Sequence, residues 1–217
     1  MAADPGLPQL RSLQMNFTGP VMGDPSFAAR TLRKGRNVTS VAVDATVDGA
    51  DVGNALCIFG AARESVLEVD DPAQDAPAPG ECPDFAPAST PFLPQFFRNF
   101  EVKLAGGQRP MAGAEEGYVL AWARHADADS RRGMGSFICL GDVLPPAAFP
   151  MMRQPCPISS VNWMINLLRS PETEEGWYLI ESRQTAAREG YSSQRMRYWN
   201  VEGQLVAVGM QAVAVFG

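Results

Sequence analysis

Phe137-Ile138-Cys139-Leu140-Gly141-Asp142-Val143-Leu144, closed by Pro145-Pro146, places a single carboxylate inside an apolar run. An ionised carboxylate moved into apolar surroundings without partners is strongly disfavoured. Asp142 must therefore gather hydrogen-bond donors or hold its proton with a raised pKa. The residue reads either as a proton carrier or as a structural Asp at the open end of a helix, bonded to nearby backbone. The helix is expected over 130–144, with Asp129 or Ser130 as N-cap, and the prolines close it near Leu144 because proline disfavours helical geometry in the residue before it. Gly133, Gly135 and Gly141 cost helix propensity and make sense if a sheet wraps closely around the helix. An element apolar on nearly all faces is a buried helix.

Strand signals surround it. Residues 99–104 and 117–124 precede the helix, and 158–168, 177–186, 191–199 and 205–216 follow it, the last two joined by a Glu202-Gly203 turn. The first half holds alternating runs at 13–17 and 38–47, an Asp48-Gly49 turn and a run at 52–59. Arg33-Lys34-Gly35 superposes on Arg188-Glu189-Gly190 and Asp48-Gly49 on Glu202-Gly203 at nearly one offset, which indicates two copies of one β-unit. The expected division is a first copy over 1–68, a linker over 69–97 too rich in Pro, Asp and Ala to pair as a central strand, and a second copy over 98–217.

Composition limits the function. A chain of 217 residues with 46% hydrophobic and 19% charged residues can bury a sizeable core. A net charge of -6 argues against a broad nucleic-acid surface, and no run of 18 apolar residues or signal-peptide pattern occurs, so a cytoplasmic protein without membrane or nucleic-acid partners is expected. Cys57, Cys82, Cys139 and Cys156 form no C-x-x-C pair and read as free thiols, two of them inside apolar runs where a reduced Cys acts as a small hydrophobe. The single histidine, His125, stands in a polar segment and reads as solvated. With one histidine, no metal site of the usual His-rich kinds and no cofactor are expected, and the common nucleophile, nucleotide and dinucleotide motifs are absent.

With these motifs in order, the chain resembles the acyl-CoA thioesterase II type of double-hotdog thioesterase over about 9–65 and 117–217. The first half carries Met15-Asn16-Phe17-Thr18-Gly19-Pro20, Leu32-Arg33-Lys34-Gly35-Arg36 and Cys57-Ile58-Phe59-Gly60. The second carries Leu140-Gly141-Asp142-Val143-Leu144, Ser160-Val161-Asn162-Trp163 and Gly203-Gln204-Leu205 leading to Gln211. The resemblance implies an α+β double hotdog, with curved antiparallel sheets wrapped around a central helix. It leaves the first copy without the strand and helix that would open it, so that a partner, a preceding segment or a degenerate lid is expected to complete it. It also implies hydrolysis of acyl-CoA, with Asp142, Ser160 and Gln211 binding and orienting the attacking water. The chemistry suits them: a thioester needs a water, a carboxylate to take its proton, and neutral groups to aim it.

One departure is Asn162-Trp163, where the family usually has Asp-His. It keeps open a non-catalytic module binding acyl or other hydrophobic ligands, whereas a hotdog dehydratase would lack its usual histidine. Arg30, Arg33, Lys34 and Arg36 put four cations in seven residues, which read as a solvated strand end or as a dock for coenzyme A phosphates. Trp122, Trp177 and Trp199 read as packing residues, and Trp163 as the one candidate for an acyl-pocket wall. A homo-oligomer is expected because hotdog sheets often pair edge to edge.

Overall fold

The computed structural model describes residues 6–73, 75–86 and 94–216. Ten strands form one open antiparallel sheet: β1 (Leu10–Phe17), β2 (Ser26–Lys34), β3 (Val38–Val47), β4 (Ala50–Gly60), β5 (Phe100–Gly107), β6 (Tyr118–His125), β7 (Ile158–Leu167), β8 (Tyr178–Arg188), β9 (Tyr191–Trp199) and β10 (Leu205–Val215), in the order β2-β3-β4-β1-β7-β10-β9-β8-β6-β5. The two four-strand units β1–β4 and β7–β10 share one connectivity and meet antiparallel through β1 and β7. The turns that revealed the repeat are the hairpin turns of both units: Asp48-Gly49 and Glu189-Gly190 each take two consecutive positive φ angles, the geometry that matches strand twist.

Strand β2 showed itself in the sequence only as the basic strand end at Arg30, Arg33, Lys34 and Arg36. Its nine residues are all exposed, so no buried face imposed a period-2 pattern on Ser26–Lys34. It is an edge strand among the described residues, and Phe27 is left 59% exposed.

The helix is shorter than expected. α1 runs Met134–Gly141, because Gly133 takes φ 87 and breaks the helical path, while residues 128–130 form a separate 3-10 turn capped by Asp127, which accepts from the Asp129 N–H and the Ser130 hydroxyl. The expected cap at Asp129 or Ser130 is thus displaced by one turn. Nor is the helix enclosed all round: Phe137, Leu140 and Gly141 are buried, while Gly135 and Cys139 are exposed. Of the three glycines only Gly141 serves a close approach, since a Cβ there would lie 2.8 Å from the Trp163 ring, whereas Gly133 and Gly135 face open space.

Phe137 packs on Tyr178 and Tyr198 at ring separations of 4.7 and 5.8 Å, and the core spreads from there over Leu13, Val119, Ala121, Val143, Leu144, Ile165, Met196 and Val206. On β6, Val119, Ala121 and Ala123 face this core, whereas Leu120 and Trp122 face a second cluster on the other side with Trp177, Leu179, Trp199 and Leu205. Burial on both faces explains why β6 reads as a continuous apolar run.

The segment read as a linker covers that second cluster. The indoles of Trp199 and Trp122 donate to the Asp71 and Pro77 carbonyls at 2.7 and 2.9 Å, and Asp70 and Asp71 pair with Arg169 and Arg197. Near its end the tract pairs with the edge strand β5, where Phe85 N–H donates to the Val102 carbonyl and Leu104 N–H to the Pro83 carbonyl; before that it lies across the sheet, with indoles and guanidinium groups satisfying its carbonyls and carboxylates.

His125 is not solvated as expected: its Nε2 lies 2.9 Å from the Ser136 carbonyl and its ring 4.9 Å from Phe100, so it ties β6 to α1. Cys139, which stands in an apolar run of the sequence, is exposed. Among the described residues no helix is long and apolar enough to cross a membrane.

The Gly141 contact yields a matched pair of variants. Gly141→Ala is expected to destabilise the protein by about 1–3 kcal/mol through overpacking against Trp163, despite the gain of about 1 kcal/mol in helix propensity. Gly135→Ala, facing open space, is expected to be neutral or stabilising. Urea denaturation of both variants checks the contrast, and equal effects would mean that α1 is not pressed onto the sheet.

Candidate functional site

Asp142 is the C-terminal cap of α1, where the helix runs out against β7 and β10. Gln211 comes from β10 and Ser160 from β7, and the three meet: Gln211 Nε2 donates to Asp142 Oδ1 at 2.7 Å and to Ser160 Oγ at 3.0 Å. Both amide hydrogens of Gln211 are thereby used, one on the acid and one on the hydroxyl.

A bulge makes this meeting possible. Along β7 and β10 the pairs Gln211↔Trp163 and Ala212↔Asn162 are followed by Val213↔Ser160, so Val161 is the extra residue. Strict alternation from the inward-facing Trp163 would turn Ser160 outward; the bulge returns it to the face of Gln211. Trp163 itself is buried beneath the site against Gly141 and lines no part of the cavity in front of it.

That cavity, about 540 Å³, is lined mainly by apolar side chains, among them Phe85, Phe97, Val143, Leu144, Phe149 and Ile158, with Asp142, Ser160 and Gln211 supplying polar groups. Such a lining suits a hydrophobic ligand with one polar centre. Asp142 is half-buried there, and desolvation pushes its carboxyl from the ordinary value of 3.8 up to about 7, with the Gln211 hydrogen bond pulling partly back. The Asp142 side chain is bonded to a side chain on a distant strand.

Sequence reasoning missed Gln194. It lies on β9, 1% exposed, and donates to Gln211 Oε1 at 2.7 Å while accepting from the Ala147 N–H at 2.7 Å. A signal was present: on β9 the alternate residues Ser192, Gln194, Met196 and Tyr198 are all buried, and an amide in such a row needs partners. Arg109 was also missed. It lines the cavity and donates to the Phe85 and Asp84 carbonyls at 3.2 and 2.9 Å.

Arg33, Lys34 and Arg36 are not brought to this cluster. They lie exposed on β2 and the turn after it, and β2 is four strand spacings from β7, about 19 Å across the sheet. In the first unit, β1, β3 and β4 present Leu13, Val41, Val43, Ala55 and Cys57 on the corresponding face, so no polar cluster is repeated there.

Comparison with known proteins places this arrangement among relatives. Residues 74–215 match the model of the acyl-CoA thioesterase C-terminal domain family. None of the curated protein sequences matches the chain. Among solved structures, a protein of unknown function with a hot dog fold from Alicyclobacillus acidocaldarius superposes with a TM-score of 0.84 at 26% identity, the match covering 100% of this chain and 82% of that one. An acyl-CoA thioesterase II from Mycobacterium marinum gives 0.75 at 18% identity, covering 98% and 82%. The tesB protein of Mycobacterium avium subs paratuberculosis gives 0.76 at 15%, covering 98% and 81%. The fold is therefore that of the hotdog proteins, as the sequence resemblance implied.

The raised Asp142 pKa has a consequence for stability. The folded protein holds this proton up to about pH 7, whereas the unfolded chain releases it near 3.8, so the stabilising contribution is full below pH 3.8 and is lost as pH rises through 7. Asp142→Asn removes the desolvated charge and keeps the oxygen that accepts from Gln211. It is expected to raise stability by roughly 1–3 kcal/mol at pH 8 and by nothing near pH 3.5. Thermal melts of both proteins at the two pH values check the sign.

Proposed function

The chain belongs to the acyl-CoA thioesterase C-terminal domain family, and from that premise we propose that it hydrolyses acyl-CoA to a free carboxylic acid and coenzyme A, with Asp142 as general base and Ser160 and Gln211 as its partners. The observation that carries this reading is a carboxylate with a pKa of about 7, bonded through one amide to a hydroxyl, in the wall of an apolar cavity. A base works best when its pKa lies near the working pH.

In this mechanism a water binds between the free oxygen of Asp142 and the Ser160 hydroxyl, with Gln211 bracketing both groups. Asp142 takes the water's proton as its oxygen attacks the thioester carbonyl carbon. The tetrahedral intermediate then collapses, the C–S bond breaks, and the leaving thiolate receives the proton from Asp142. No covalent enzyme intermediate forms, and the acyl chain occupies the apolar cavity. Arg109, at the cavity, is a nearer cation for the phosphates of coenzyme A than Arg33, Lys34 and Arg36. Assembly into a homo-oligomer is part of the reading, supported by the exposed edge strand β2 and its Phe27.

Steady-state assays over a panel of acyl-CoA chain lengths test the proposal. The wild type is expected to turn over, with kcat/KM rising through about pH 7 as Asp142 ionises, and Asp142→Asn is expected to lower kcat by about 10²–10⁴-fold. Full activity in Asp142→Asn would remove the mechanism, and retention of acyl ligand without turnover by the wild type would favour a binding module. Leu144→Trp, which fills part of the cavity, is expected to shift preference toward shorter chains. Arg109→Ala should raise KM for acyl-CoA several-fold more than neutralising Arg33, Lys34 and Arg36 together, and the reverse result would return the phosphate dock to β2.

A further inference from the structure

Ala147 follows two prolines that have no N–H, so its amide is the first backbone donor after them, and it is fully buried. A backbone N–H can only donate. The group facing it at 2.7 Å, on Gln194, must therefore be the side-chain oxygen, which turns the Gln194 nitrogen toward Gln211. The atom of Gln211 that meets this nitrogen at 2.7 Å must in turn be its oxygen, and the nitrogen of Gln211 is left pointing at Asp142 and Ser160. One donor of fixed polarity thus orients two amides in series.

We propose that Gln194 is a positioning residue of the hydrolytic site: by relaying the polarity of the Ala147 N–H, it holds Gln211 with both N–H groups directed at Asp142 and Ser160. This inference rests on the thioesterase reading for its kinetic consequence, although the relay itself stands on geometry. With Gln211 in the opposite orientation, its oxygen would face the acid and the hydroxyl. Asp142 would then lose a donor and would have to keep its own proton to make a hydrogen bond. Gln194 therefore decides whether the site presents a free base or a neutral acid. A residue buried only for packing would have no such effect on the acid.

The titratable groups sharing the surroundings of Asp142 are Cys139 on α1, whose thiol, though solvent-accessible, is pushed up first by partial desolvation and then by Asp142, and Tyr198 on β9, pushed up by burial and donating to the Gly141 carbonyl at 2.8 Å. Cys156 and Arg109 lie on the same cavity. None of them bonds to Gln194, so variants at Gln194 act on the acid through Gln211.

Gln194→Met removes the relay and Gln194→Glu reverses it, because a carboxylate accepts from Ala147 and can only accept from Gln211. The pH profile of kcat/KM separates positioning from packing. In both variants the midpoint is expected to move up, by about half a pH unit for Met and a unit or more for Glu, with kcat falling about tenfold or more. If Gln194→Glu does not fold, Gln194→Met carries the test alone. In a Gln211→Met background, Gln194→Met is expected to cause no further change in midpoint, since the path to Asp142 is already cut. An unmoved midpoint in folded Gln194→Met, or an equal effect in the Gln211→Met background, overturns the proposal. A wild type that folds but hydrolyses no acyl-CoA would sink the thioesterase reading instead. The relay would then be read from the carboxyl carbon shift of Asp142 on NMR titration, which must move up in Gln194→Met.

Discussion

The structure turns on how closely the end of α1 approaches β7. Gly141 lies against the Trp163 ring with no room for a side chain, and this contact carries the next residue, Asp142, into a wall of apolar groups. Desolvation then does the chemical work, raising the carboxyl toward neutrality. The same desolvation costs stability above pH 7, so the residue that suits proton transfer is also the one whose charge the fold tolerates least. In the proposed mechanism, stability and activity are opposed at this position for a single physical reason.

Around the acid, the fold supplies donors of fixed direction. Gln211 and Gln194 face each other across the β9–β10 pairing, and the bulge at Val161 turns Ser160 to join them. Three strands and one helix end each contribute one polar group, and each group is held by sheet hydrogen bonding or by the tight Gly141 contact. A site assembled this way is rigid before ligand arrives, which is what orienting a water requires. The duplication of the β-unit did not duplicate the chemistry: the first unit keeps the sheet connectivity and fills the same face with Leu13, Val41 and Ala55.

Much of this was legible in the chain. Period-2 alternation and two Gly turns at a repeated spacing marked the β-units, and the lone acid before Pro145-Pro146 marked the helix end. Ser160 and Gln211 stood out only through a family resemblance, and the structure joins them to the acid, the Gln211 amide donating to both Asp142 and Ser160. Strand β2 was legible only at its basic end, because an edge strand exposed on both faces has no alternation to show. The start of α1 was misplaced because Ser and Asp favour capping geometry wherever they fall, while the backbone turn at Gly133 decides where the helix begins. The Pro-rich tract of residues 70–85 gave no hint of the two indoles that hold it to the sheet, since those contacts span 128 and 45 residues.

By itself, then, the amino-acid order determined the repeated β-units, the buried helix end and the presence of one carboxylate in apolar company, because these depend on neighbours a few positions apart. Only the tertiary structure decided that a bulge turns Ser160 inward, that Trp163 lies under the site instead of walling the cavity, and that Gln194 stands behind Gln211. Those outcomes depend on which strands become neighbours and in what register, and a shift of one residue sends a side chain to the opposite face of the sheet.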